Sequence, residues 1–138
     1  MDDAAVTKYI TETFPGLAVT TTGSGTFFTY DPEGKLPADR WWPFATIVTS
    51  DEYDSFSNLA RPDVFRLNVG VSKATYQSLF AVDAPEPDFT ALDQFLPHPV
   101  YGKMYWVSVL NPGQATWETT RDLLAEAYET AVNRYASV

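Results

Sequence analysis

The sequence predicts one α+β domain over residues 1–138, an antiparallel sheet of about five strands with the N- and C-terminal helices packed on one face. Three observations predict it. Apolar residues recur at helical spacing near both ends of the chain, and they alternate at strand spacing in the middle. The strand-like runs are joined by turns and loops, which suits antiparallel pairing.

Asp2 or Asp3 can cap a first helix, whose apolar residues Val6, Tyr9, Ile10 and Phe14 share a side and which Pro15–Gly16 ends. Leu17–Thr22 is rich in β-branched residues, and Thr26–Tyr30 returns after the Gly23–Ser24–Gly25 turn, which makes a hairpin. Asp31–Asp39 holds Pro32, Gly34 and Pro37 and reads as a loop. Strand composition resumes at Pro43–Thr49, and the polar, acidic run Ser50–Arg61 follows as loop with a short helical turn. Across Val64–Val71, Phe65, Leu67, Val69 and Val71 fall on one face and Arg66 and Asn68 on the other. Ser72 caps a short helix through Phe80. Ala84–Pro99 is bounded by prolines, with a turn or two of helix expected over Asp88–Phe95. Met104–Leu110 is a strand stopped by Asn111–Pro112–Gly113. The last helix sets Trp117, Leu124, Tyr128, Ala131 and Tyr135 on one side, with Glu118, Asp122, Glu126 and Glu129 on another that reads as solvated.

Composition narrows the chemistry. With 45% hydrophobic and 15% aromatic residues, a chain of this length can build a core without covalent staples. The absence of cysteine excludes disulfides, thiolate nucleophiles and zinc–sulfur sites. Nine basic residues against 18 acidic ones give a net charge of −9, which disfavours nucleic acid as a partner because phosphates must be met by cations. No run approaches the about 18 apolar residues that a membrane span needs, and the chain starts acidic, so no membrane is expected and the cytoplasm is the expected location.

The runs Pro43–Phe44–Ala45–Thr46–Ile47–Val48–Thr49, Phe65–Arg66–Leu67–Asn68–Val69–Gly70–Val71–Ser72–Lys73 and Pro97–His98–Pro99–Val100–Tyr101–Gly102 resemble an uncharacterised bacterial family, chiefly actinobacterial, over almost the whole chain. That resemblance implies no particular activity. A looser one is to the MmcQ/YjbR-like fold, in which a Lys-x-x-Trp strand precedes a closing helix, here Lys103–Met104–Tyr105–Trp106 and Gln114–Tyr135. Proteins of that fold often carry a histidine before the tryptophan, where this chain has Tyr105, and the label that the resemblance implies is DNA binding.

Candidate site residues gather between Arg40 and Trp106. His98 is the only histidine and is held between Pro97 and Pro99; it is the acid–base candidate if the protein is an enzyme, or else a loop histidine bonded to backbone. Arg66 can anchor a carboxylate or phosphate beside Asn68, or this sheet face can be solvated, or Arg66 can pair with an acid such as Asp51 or Asp54. Trp41 and Trp42 point different ways, so one can wall a pocket for a flat ligand whose anionic end Arg40 holds, or the pair can form a dimer contact, or one ring can plug the core while the other is half exposed. Tyr101, Tyr105 and Trp106 extend the same aromatic wall or pack in the core.

Asp51, Glu52 and Asp54 lack the spacing of a calcium loop, and no metal or other cofactor is expected. Gly23–Ser24–Gly25 is a turn rather than a phosphate loop, and no nucleophile elbow supports a serine triad. The leading expectation is a small-molecule-binding domain, with catalysis left open, whose pocket is lined by Trp41, Trp42, Arg66, Asn68, His98, Tyr101 and Trp106. The alternative is a homodimeric interaction module built on the exposed aromatics.

Overall fold

Asp2 opens the first helix, accepting a hydrogen bond from the Ala5 amide at 2.8 Å, and α1 runs Asp3–Thr13 with Val6 and Ile10 turned inward. The computed structural model describes residues 1–136. The hairpin follows as β1 (Leu17–Thr22) and β2 (Gly25–Tyr30), joined by the two residues Gly23 and Ser24; Gly23 sits at φ 57°, a conformation that suits glycine. Then come β3 (Ala45–Val48), β4 (Arg66–Gly70), α2 (Lys73–Leu79), β5 (Phe95–Pro97), β6 (Trp106–Leu110) and α3 (Trp117–Ala136).

The sheet has six strands in the order β1-β2-β3-β4-β6-β5, and every neighbouring pair is antiparallel. The additional strand is β5, at the end of the proline-bounded segment, and the turn or two of helix expected just before it over Asp88–Phe95 does not form. The strand is three residues long and ends in Pro97, on an edge where a missing amide costs little.

Alternation along the strands sorts the side chains into two layers. Phe28, Ala45, Ile47, Leu67, Val69, Val107 and Val109 face α1 and α3 and pack with Val6, Ile10, Phe14, Leu123, Leu124 and Ala127. The two terminal helices thus share one face of the sheet, as expected. Their seam is aromatic: Phe14 meets Tyr128 at 4.8 Å between ring centroids, and Tyr9 meets Trp117 at 5.0 Å. Glu126 is not part of a solvated face, because its carboxylate accepts hydrogen bonds from the Ser72 amide at 3.0 Å and the Thr75 hydroxyl at 2.5 Å, tying α2 to α3.

The opposite face carries Phe27, Thr46, Val48, Arg66, Asn68, Trp106 and Ser108. Residues 49–64 and 98–104 fold back over part of it. Both faces of β4 are therefore covered, and Arg66 and Asn68 are each only 2% exposed.

Candidate functional site

The strand registers set Thr46, Asn68 and Ser108 side by side across β3, β4 and β6. The Ser108 hydroxyl donates to Asn68 Oδ1 at 2.7 Å, and Asn68 Nδ2 donates to Thr46 Oγ1 at 3.0 Å. Arg66, one step along the same face, donates from Nε to the same Asn68 oxygen at 3.0 Å. Its two terminal nitrogens donate to Asp54 Oδ1 and Oδ2 at 3.0 and 2.8 Å, and Nη1 also reaches Ser57 Oγ at 2.9 Å. A buried guanidinium is tolerated only when paired and hydrogen-bonded in this way. Among the described residues, no buried side-chain polar atom lacks a partner.

Burial alone would raise the Asp54 carboxyl, but the hydrogen bonds and positive charge of Arg66 outweigh it, so the group sits below the ordinary carboxylate range and stays ionised. The acid at Arg66 is the partner that the sequence offered as one alternative to a free anchor. Asp51 and Glu52 do not converge on it. Asp51 accepts from the Leu59 amide at 2.8 Å, and Glu52 accepts from the Ser24 amide at 2.9 Å and hydroxyl at 3.0 Å.

His98 closes one side. It follows β5, and its Nδ1 accepts hydrogen bonds from the amides of both Val100 and Tyr101 at 3.0 Å. Two backbone donors on one ring nitrogen fix the tautomer, so the proton of the neutral ring is on Nε2. Burial first, and then the positive charge of Arg66, hold its pKa down to about 4 despite the opposing pull of Asp54. His98 is therefore a neutral imidazole whose Nε2–H donates to no other described residue, and it lines the hollow.

These groups form the floor and one wall of an open-sided cavity of about 390 Å³. The remaining lining is mostly apolar: Phe27 and Tyr53 at one end, Trp106 and Pro43 at the other, Val100, Tyr101 and Met104 at the mouth. Trp106 lies across β4 because Gly70 has no side chain, since a Cβ there would come within 3.2 Å of the indole. Tyr105, at φ 65°, turns the chain from the 3-10 turn Gly102–Met104 into β6, and its carbonyl accepts from the Val71 amide at 3.0 Å. Of the residues that the sequence singled out, Arg66, Asn68, His98, Tyr101 and Trp106 meet here. Trp41 and Trp42 do not: Trp41 is 39% exposed and Trp42 lies in a neighbouring groove under Arg134. Sequence reasoning missed Thr46 and Ser108, whose signal was a single hydroxyl residue alternating with apolar neighbours. It also missed Ser57, Tyr53 and Met104, which lie on loops without periodicity.

Residues 1–138 match the family of unknown function DUF6194, and the chain belongs to that family. No curated protein matches it. Among the described residues, no helix is long and apolar enough to cross a membrane.

Proposed function

We propose that this member of the DUF6194 family is a small-molecule-binding protein and that its ligand occupies the cavity beneath residues 98–104. One observation carries the reading: the His98 Nε2–H, which donates to no other described residue, stands in a mostly apolar hollow over a floor whose polar groups already satisfy each other. Such a site suits a flat or compact apolar ligand with a hydrogen-bond acceptor placed opposite the imidazole. Arg66 serves as a fixed part of the floor, because Asp54 neutralises it. The engaged Nδ1 and low pKa of His98 favour binding over acid–base work, since a base poised for neutral pH needs a pKa near 7.

The test is a metabolite screen by thermal shift on wild type and His98→Asn. Asparagine keeps an acceptor for the Val100 and Tyr101 amides but removes the outward N–H. A true ligand should stabilise wild type and lose about 2- to 10-fold in affinity in the variant, the worth of one hydrogen bond. If hits bind both proteins alike, or no compound shifts wild type, the reading fails.

A second reading, a homodimer, is favoured by the edge strand β1. Its sequence, Leu-Ala-Val-Thr-Thr-Thr, holds no charge and no proline to discourage pairing with another copy.

A further inference from the structure

The cavity does not end at Trp106. Pro43, Met104 and Trp106 line it on one side and, on the other, line a shallower groove of about 530 Å³ completed by Trp42 and Arg134. These three residues form a sill between two connected hollows. Arg134 stacks over the Trp42 ring at 5.3 Å from its centroid, which orients the guanidinium while leaving its edge open. Among the described residues, the ion pair formed by an arginine is that of Arg66 with Asp54, and the Arg134 side chain donates no hydrogen bond. That is notable in a chain with 18 acidic residues, any of which could have been placed there. Arg40 lines a small recess together with Trp42 and Arg134.

We propose that cavity and groove together take an elongated amphipathic anion, with its apolar ring or chain over the cavity floor and its carboxylate, sulfonate or phosphate against Arg134. The inference rests on the cavity being a ligand site and adds the charge and length of what binds there. Inside the cavity the Arg66–Asp54 pair has no net charge, so the unbalanced cation that meets a ligand lies at the groove. The net charge of −9 repels anions at long range, so recognition depends on direct contact with the guanidinium fork rather than on steering.

Two fluorescent probes with the same rings separate the possibilities: anilinonaphthalene sulfonate, an anion, and N-phenylnaphthylamine, its neutral counterpart. Each is titrated into wild type and Arg134→Gln, a change at an exposed position. The expected result is that both probes bind wild type, and that R134Q weakens the sulfonate by about tenfold, one exposed charge-assisted hydrogen bond, while leaving the neutral amine unchanged. Added salt should weaken the sulfonate selectively in wild type and not in R134Q. Should R134Q treat both probes as wild type does, the anion proposal is overturned and the cavity reading stands. Should neither probe bind wild type, both are overturned.

Discussion

Arg66 places a full charge in the middle of a sheet, at 2% exposure, and the cost of taking it out of water is met by Asp54, Ser57 and Asn68 together. Such a pair contributes little net stability, but removing one partner strands the other. Asp54→Ala should therefore destabilise by about 3–5 kcal/mol, whereas the double change Arg66→Met with Asp54→Leu should recover most of that loss. Urea unfolding of Arg66→Met, Asp54→Leu and the double gives the comparison; additive losses would mean that the two charges do not depend on each other. His98 makes a separate prediction about pH. The folded ring stays neutral down to about 4, while in the unfolded chain it takes up a proton near its ordinary 6.5. Its contribution is complete above pH 6.5 and is lost as the pH falls toward 4, because protons then favour the unfolded state. Asp54, held below 3.8, acts in the same direction at still lower pH. His98→Asn should flatten the fall in urea midpoint between those two values and leave the steeper loss below it; an unchanged profile would mean that the ring titrates normally when folded. The sequence exposed part of this site. Strict alternation put Arg66 and Asn68 on one face, but whether that face was wet depended on residues 49–64, whose placement follows from the Asp54 contact and not from any periodic pattern.

At the scale of elements, loops rather than helices and strands hold the frame in register. Asp93, at φ 52°, reaches from the segment before β5 to the start of α3, where its carboxylate accepts from the amides of Gly113, Ala115 and Thr116 at 2.8, 2.9 and 3.1 Å and from the Thr116 hydroxyl at 2.6 Å. Burial would raise this carboxyl, yet the Thr116 hydroxyl and the three amides outweigh it and leave the group below its ordinary range. An acid at a helix start satisfies amides that the helix cannot, and it complements the helix dipole. Asp93→Ala should thus cost about 2 kcal/mol, at the upper end for a lost cap because several donors lose their acceptor at once. Asp93→Asn should cost less. Equal stability of wild type and Asp93→Ala in chemical denaturation would show that water replaces the carboxylate freely. The same region explains why β5 was not legible. Three residues ending in proline give no alternation to detect, and β5 exists because β6 offers Val107, Ser108 and Val109 as partners. Where a run was long enough to repeat its own period, as in β4 and α3, its type was readable and only its ends moved, by three residues at most.

For the whole molecule, the two sheet edges differ. The β5 edge is short, closes with proline and carries the extra bridge of Leu92 to Leu110. The β1 edge is six residues long and bare. The Asp31 amide donates to the Gly16 carbonyl at 2.9 Å, and the hairpin closes on Thr22 with Gly25, so the even-numbered residues of β1 spend their backbone groups on β2. Those of Leu17, Val19 and Thr21 consequently point outward. An antiparallel twofold pairing centred on Val19 would join them to the same residues of a second copy and cover the Val19 side chain, now 44% exposed. The phase of the strand supplies a sharp test. Proline at position 19 removes only an outward amide, so Val19→Pro should keep the fold by circular dichroism yet sediment as a monomer where wild type forms dimers. Proline at position 20 removes an amide that β2 needs, so Thr20→Pro should destabilise the domain itself by about 3 kcal/mol or more. A wild type that stays monomeric at high concentration in sedimentation velocity, or a Val19→Pro variant that still dimerises, would exclude this edge as the assembly surface.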